Sequence, residues 1–231
     1  MDKIPSRVRE IWIARDKRSE RAGRLVRLCK ERDVSVRFRS SAEIKRLFPD
    51  ISHQGYIALV DSFRYRELDE IAQAGIQEGN ALIIALDHIT DEGNLASIIR
   101  TAAFFGAQGL VIPKDRSAGV SPRVAKRSAG ASVWLPIARV VNLGRALDIL
   151  DKRDFWIVGT GGESPETIHG FDWRRNLVLV LGNEEKGLTK GIRKRCHKVL
   201  SIPGRGGLDS LNVGVAAGVV LSEIARQRKP A

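Results

Sequence analysis

Cysteine is nearly absent from this chain: Cys29 and Cys196 are the two among 231 residues. Two cysteines cannot build a disulfide framework, and neither sits at a metal-ligand spacing. Histidine is as sparse, with His53, His88, His169 and His197 scattered along the sequence. No apolar run approaches the roughly 20 residues that span a bilayer. The opening "MDKIPSRVREIW" is charged and lacks the apolar region of a signal peptide. Internal repeats and low-complexity tracts are also missing. These absences leave a metal-free, soluble, cytoplasmic protein as the expectation. With 43% hydrophobic residues, the chain has enough apolar material for a proper core.

Charge is what the chain has in excess. Its formal net charge is +12, unevenly placed. From Met1 to Phe48 there are 15 Lys/Arg against 7 Asp/Glu, a balance of +8, whereas Pro49 to Asn80 carries −4. Two further basic clusters follow, Lys114 to Ala129 (5 against 1) and Lys186 to Lys198 (6 against 0). One such cluster is as readily a solvated surface. Three together point to a polyanionic partner, RNA or DNA, because clustered Lys/Arg neutralise phosphates.

The hydrophobic pattern changes partway along the chain. "REIWIAR", "VSVRF" and "YIALVDSF" read as strands, with "AGRLVRLCKERD" and "AEIKRLF" as helices between them. "ELDEIAQAGI" reads as an acidic helix that bridges or links. From Ala81 the strands "ALIIALD", "GLVIP", "FWIVGT", "LVLVLG" and "KVLSIP" alternate with helical segments, the last being "SLNVGVAAGVVLSEIARQR". Short continuous apolar strands alternating with helices predict an α/β fold with a parallel sheet covered on both faces. The predicted boundary lies at Ile76 to Asn80, giving a small basic α/β module at 1–76 and a larger domain at 81–231.

In such sheets ligands bind beyond the carboxyl ends of the strands, and polar residues gather there. "HITDEGNLASIIR" carries Asn94 and Arg100, and "GRGGLDSLN" carries Ser210 and Asn212. "LVLVLGNEEKGL" ends a buried strand in an amide, two carboxylates and an ammonium held between Gly182 and Gly187, more than a simple turn requires. Structural roles compete: Asn94, Asp209 and Ser210 could cap helices, and Arg100 could form a surface ion pair. "GTGGES" is not a dinucleotide fingerprint, since Ser164 replaces its third glycine and no acidic residue follows at the right distance. Gly214, Ala216, Ala217 and Gly218 give the last helix a surface for close packing, within its own domain or on a partner subunit.

"NLASIIRTAAFFGAQGLVIP", "LVLVLGNEEKGL" and "IPGRGGLDSLNVGVAAGVVL" resemble, in order and spacing, the three motifs of the SpoU/TrmH family (SPOUT class) of RNA 2′-O-ribose methyltransferases. The likeness runs from Ala81 to Gln227. "SHQGYIALV" and "RSAGASVWLPIARVVNLGRAL" further resemble the RlmB-like branch, which acts on a guanosine ribose of large-subunit (23S) rRNA. Members that act on tRNA share much of the pattern, so tRNA is the alternative substrate. A noncatalytic RNA-binding protein of the same fold is the rival outside the enzymes.

The resemblance implies a parallel sheet whose C-terminal segment threads a trefoil knot, an S-adenosylmethionine site in that knot, and a homodimer joined through it. It implies cofactor contacts at Thr160, Gly161, Gly182, Ile202 and Leu211. Asn94, Arg100, Glu184, Ser210 and Asn212 match the family's catalytic or substrate-positioning residues, and no metal is implied. The chain departs from many relatives at Gly204, where they carry Met, and at Gly214, where they carry Ser. It also enters the family's small N-terminal RNA-binding module midway, at "VREIWIARD".

Overall fold

The computed structural model describes residues 8–17, 19–49, 53–208 and 210–228. The chain divides into two compact units, one ending at Phe63 and the other beginning at Arg64.

The first unit holds strands β1 (Val8–Ala14), β2 (Ser35–Arg39) and β3 (Tyr56–Val60), with helices α1 (Glu20–Glu31) and α2 (Ser41–Leu47). The sheet order is β2-β1-β3; β1 runs parallel to β2 and antiparallel to β3. Successive residues of a strand point to opposite faces, and β1 uses both. Ile11 and Ile13 pack with Ala22 and Cys29 of α1, while Trp12 and Ala14 pack with Ile44 and Phe48 from the α2 side. Ser19 and Ser40 start the two helices by accepting from the Ala22 and Glu43 amides at 3.2 and 3.1 Å, the bonds an N-cap supplies.

The second unit is a six-stranded sheet of β4 (Leu82–Leu86), β5 (Gly109–Pro113), β6 (Ile137–Val140), β7 (Trp156–Thr160), β8 (Leu177–Leu181) and β9 (Lys198–Leu200). Every pairing is parallel and the order is β6-β5-β4-β8-β7-β9. All residues of β4, β5 and β8 are buried, as expected for a sheet covered on both faces. Its helices are α3 (Leu68–Glu78), α4 (Glu92–Phe104), α5 (Pro122–Arg127), α6 (Leu143–Asp151), α7 (Lys190–Arg193) and α8 (Val213–Arg228).

Two features differ from the sequence pattern. The acidic helix α3 is no linker: Ile71 and Ala72 are buried in the main core with Leu147 and Phe155. A Cβ on Gly109 would lie 2.2 Å from Ile71 Cγ2, so the glycine lets α3 seat on β5. The compact units therefore part before α3, ahead of the predicted boundary. Strand β6 is absent from the predicted strands because Arg139 interrupts its apolar run. It forms the edge of the sheet, bridged by Arg66 at Ala138.

The position of β8 decides where chemistry can occur. It lies between β4 and β7 although β5, β6 and β7 precede it in the chain. The loops leaving β4 and β8 thus emerge side by side at the carboxyl edge, the position ligands favour in open α/β sheets. Among the described residues no helix is long and apolar enough to cross a membrane.

Candidate active site

The tip of β8 is built on close backbone approach. A Cβ on Gly182 would stand 2.4 Å from the Gly187 carbonyl carbon and 2.5 Å from the Leu188 nitrogen. No side chain fits where the chain doubles back on itself. Asn183 and Gly187 exchange both backbone hydrogen bonds, at 3.1 and 2.8 Å, and Gly187 takes φ +62°, a region where glycine has no steric cost. The Asn183 side chain completes the turn. Its Oδ1 accepts from the Glu185 and Lys186 amides at 3.0 and 3.3 Å, and its Nδ2 donates to the His88 carbonyl at 3.2 Å. The turn projects Glu184 from its apex.

Helix α4 receives it. Asp91 caps the helix by accepting from the Asn94 amide at 2.8 Å. Asn94 is therefore not the cap, and its side chain is free for other bonds. Its Nδ2 donates to Glu184 Oε1, and its Oδ1 accepts from Asn212 Nδ2 at 2.9 Å. Because a carboxylate only accepts, this pairing fixes which end of the Asn94 amide faces Glu184. Asn212 Oδ1 in turn accepts from the Gly214 and Val215 amides at 3.0 and 3.3 Å. Asn212, rather than Ser210, thereby caps α8; Asp209 lies outside the described residues. One continuous chain of bonds joins Glu184 of the β8 turn, Asn94 of the first turn of α4 and Asn212 at the start of α8. Partial burial, reinforced by the Asp91 and Glu185 charges, raises the Glu184 pKa above the ordinary carboxylate value.

Arg100 lies outside this chain. It is exposed on α4, six residues beyond Asn94, with no hydrogen bond or ion pair to any described residue. The surface-ion-pair role is thus not what the structure gives it. Phe104, one turn further, is 81% exposed, and Trp134 and Val215 are also uncovered. Ser210 is exposed in the loop before α8 and equally unbonded among the described residues.

The remaining expected contacts lie at neighbouring strand ends. Thr160 closes β7 in register with Leu200 of β9, and the Gly161 amide donates to the Leu200 carbonyl at 3.1 Å. A Cβ on Gly161 would stand 3.0 Å from Val199 Cγ1. Ile202, just past β9, is half-buried, and Leu211, next to Asn212, is 45% exposed. Gly182 immediately follows β8, which pairs with β7. The groups these residues offer at this edge are backbone amides and carbonyls, the Thr160 hydroxyl and two aliphatic side chains, beside the Glu184 carboxylate. Such a set suits a ligand with an apolar body and a cationic centre.

Asn183 and Asp91 are structural members of the site that sequence reasoning missed. The spacing of Asn183 before Glu185 and Gly187 carried the signal, since asparagine commonly bonds backbone two residues on.

Comparison with known proteins shows the family of the chain. The family model described as the SpoU rRNA Methylase family matches residues 81–222. A second, described as RNA 2'-O ribose methyltransferase substrate binding, matches residues 3–66. The 23S rRNA (guanosine-2'-O-)-methyltransferase RlmB of Pseudomonas aeruginosa is 37% identical over 98% of this chain and 91% of its own length. The enzyme of the same name from Coxiella burnetii is 37% identical over 99% and 92%. Among solved structures, the SpoU methyltransferase AviRb from Streptomyces viridochromogenes superposes with a TM-score of 0.80 at 29% identity, covering 96% of this chain and 82% of that one. Its complex with the cofactor AdoMet gives 0.79 at 29% identity, covering 96% and 83%. The chain belongs to the SpoU rRNA methylase family.

Proposed function

We propose that the protein transfers a methyl group from S-adenosylmethionine to the 2′-hydroxyl of a guanosine in 23S rRNA, acting in the cytoplasm. The observation that carries this reading is the Glu184–Asn94–Asn212 chain at the joined ends of β4 and β8. It unites residues from all three motifs, 90 and 118 positions apart. The two RlmB relatives, each matched over nearly its whole length, support the choice of rRNA and guanosine.

S-adenosylmethionine supplies an already electrophilic methyl on a cationic sulfur. The protein's task is to hold a weak nucleophile in line with it and to assist loss of its proton. Thr160, Gly161, Gly182, Ile202 and Leu211 would hold the cofactor, chiefly through backbone groups. Within the hydrogen-bonded chain Glu184 is the one member able to accept a proton, and its raised pKa makes it a better acceptor than an ordinary carboxylate. Asn94 and Asn212 fix its orientation. Arg100 carries a guanidinium that stays charged, suited to holding the RNA phosphate and stabilising negative charge on the ribose oxygen. Ser210 would orient the ribose.

The same reading extends to the molecule. The segment from β8 onward would thread a trefoil knot, supported by the insertion of β8 between β4 and β7 against chain order. A homodimer through this region would cover Phe104, Trp134 and Val215, since apolar side chains exposed on adjoining elements mark contact sites. It would bring Arg100, beside them, to a site. The first unit would be the RNA-binding module, supported by its basic charge and its match to a substrate-binding family.

Transfer of labelled methyl to unmodified 23S rRNA and, separately, to tRNA tests the reading, with product scored by alkali resistance of the methylated linkage. Label is expected in rRNA and lost with Arg100→Ala. Glu184→Gln is expected to reduce transfer by about 10²-fold or more, the cost of a misplaced reacting group, with folding intact. Label in tRNA alone would overturn the target; no label in either RNA would overturn the reaction.

A further inference from the structure

A cavity of about 270 Å³ opens where the loops after β4, β5 and β6 meet α7. None of the residues assigned above to the methyl donor lines it. It nevertheless shares a wall with the Glu184 turn. The Thr189 amide donates to Asp87 Oδ2 at 2.7 Å, and the His88 carbonyl accepts from Asn183. Both ends of the turn are thus anchored on Asp87–His88, which also form one side of the cavity.

The chemistry of its lining is mixed in a specific way. Leu143 and Ile192 give it a buried apolar floor, and Val141, 79% exposed, an apolar lip. Arg195 lies alongside, its guanidinium pinned by Asp148 at 2.7 Å and the Gly191 carbonyl at 2.9 Å. A guanidinium fixed in place by two such contacts can serve as a stacking surface for an aromatic ring. At the rim stand Asp115 and Arg116, neither bonded to any described residue. An unpaired carboxylate and an unpaired guanidinium on adjacent residues are an acceptor and a donor awaiting a partner. His88 adds a second acceptor. Its Nδ1 lies 2.6 Å from Asp87 Oδ1, and because a carboxylate only accepts, Nδ1 carries the proton and Nε2 offers a lone pair when the ring is neutral. Arg116 and His88 both take positive φ, 51° and 60°. Such conformations cost energy for residues other than glycine and cluster at ligand sites.

We infer that this cavity takes one unpaired guanine base of the substrate RNA, next to the ribose being methylated. The inference rests on the reading of the chain as an RNA methyltransferase. Its volume lies just under the roughly 300–1,000 Å³ of clefts for drug-sized ligands, so it suits a single base. RNA is read in this manner, by splayed bases stacked on aromatic or guanidinium planes and bonded along their edges. Guanine alone among the four bases presents two adjacent N–H donors beside a carbonyl acceptor. Asp115 accepts from the donors and Arg116 donates to the carbonyl. Adenine reverses part of this pattern, uracil offers a single donor, and an isolated phosphate is repelled by Asp115.

Binding of guanosine monophosphate to the full-length protein tests the site directly, with adenosine monophosphate and ribose 5-phosphate as controls. Guanosine monophosphate is expected to bind at least about tenfold more tightly than adenosine monophosphate, the discrimination of one good bidentate contact. Ribose 5-phosphate should not compete. Asp115→Asn should erase the preference and Arg116→Ala should weaken guanosine monophosphate binding, both leaving S-adenosylmethionine binding unchanged. Both residues are exposed, so folding is not at stake. Equal binding of the two nucleotides, or a preference that survives Asp115→Asn, overturns the inference. The readout needs no methyl transfer: a protein that methylates neither RNA yet keeps the preference would sink the proposed reaction and leave this site standing. Intact transfer without the preference would sink this site alone.

Discussion

At the scale of single residues, the two glycines that bracket the Glu184 turn do different work. Gly182 is required by space: any side chain there meets backbone atoms of Gly187 and Leu188, which cannot move aside by changing rotamer. Gly187 is required by conformation: its φ is +62°, and nothing lies within 4 Å of a Cβ placed on it. Gly187→Ala should therefore cost about 1–2 kcal/mol, the penalty of a left-handed residue, and Gly187→Asn less. Gly182→Ala should cost about 1–3 kcal/mol through overpacking and should also displace the turn, weakening S-adenosylmethionine binding. Denaturation midpoints together with cofactor titration separate the two. Equal losses of stability with cofactor binding untouched in both variants would contradict the spatial argument.

Legibility follows the same division. Glu184, Asn94 and Asn212 could be picked from the sequence because they stand in the segments that follow strand ends, where ligands bind in such sheets, and because the order of their motifs is specific. Their bonding to one another could not, since it depends on segments 90 and 118 positions apart being brought together, by the pairing of β8 with β4 and by the packing of α8 on α4. Asn94 also looked like a cap, a role that falls to Asp91, three positions earlier. Sequence spacing alone does not separate a cap from a residue whose amide the cap binds.

At the scale of elements, α8 shows how the strand-end loops are held still. Glu223 is 7% exposed and accepts from Arg226 Nε and Nη2 and from Gln227 Nε2, each at 2.8 Å. Gln227 donates to the Phe171 carbonyl at 3.1 Å and accepts from the Trp173 amide at 3.2 Å. Arg228 donates to the carbonyls of Trp173 and Arg175 at 3.0 and 2.7 Å. The helix thus clamps the segment that feeds β8. The Arg226 and Gln227 hydrogen bonds bring the Glu223 pKa from 4.5 down to about 2. A depressed carboxylate stabilises the fold above its unfolded value, and that contribution is lost as pH falls through the folded one. Glu223→Gln should therefore be less stable than the parent near neutral pH, by about 1 kcal/mol after allowing for the exposure of Arg226. The gap should close between pH 4.5 and about 2. Unfolding at a series of pH values measures it; a gap that stays constant into acid would mean that packing, not the charge, is responsible.

The elements themselves were legible where pattern and packing agree. The buried runs of β4, β5 and β8 read as parallel strands because both faces are covered. Arg139 in its middle hides strand β6 from the pattern, and α3 reads as a linker because its acidic surface outweighs the small buried face of Ile71 and Ala72. In both cases an edge or surface position dilutes the apolar signal.

At the scale of the whole molecule, basic charge is concentrated at one end of the chain. The first 48 residues carry a balance of +8, while Glu184, Asn94 and Asn212 lie in the second unit. If the first unit is the RNA-binding module, it should supply affinity without setting the chemistry. Phosphate contacts release counterions, so the logarithm of RNA affinity falls linearly with the logarithm of salt concentration. Reversing two arginines of the exposed side of α1, Arg21→Glu and Arg24→Glu, should lower that slope by about 0.7–0.9 for each phosphate contact removed. S-adenosylmethionine affinity and the rate at saturating RNA should remain as in the parent. Filter binding over a salt series, run beside single-turnover methyl transfer, gives both quantities. A fall in the saturating rate with an unchanged slope would place those arginines in the reaction instead of in RNA capture. A fall in slope with the rate preserved would assign capture to the basic unit and chemistry to the sheet that holds Glu184.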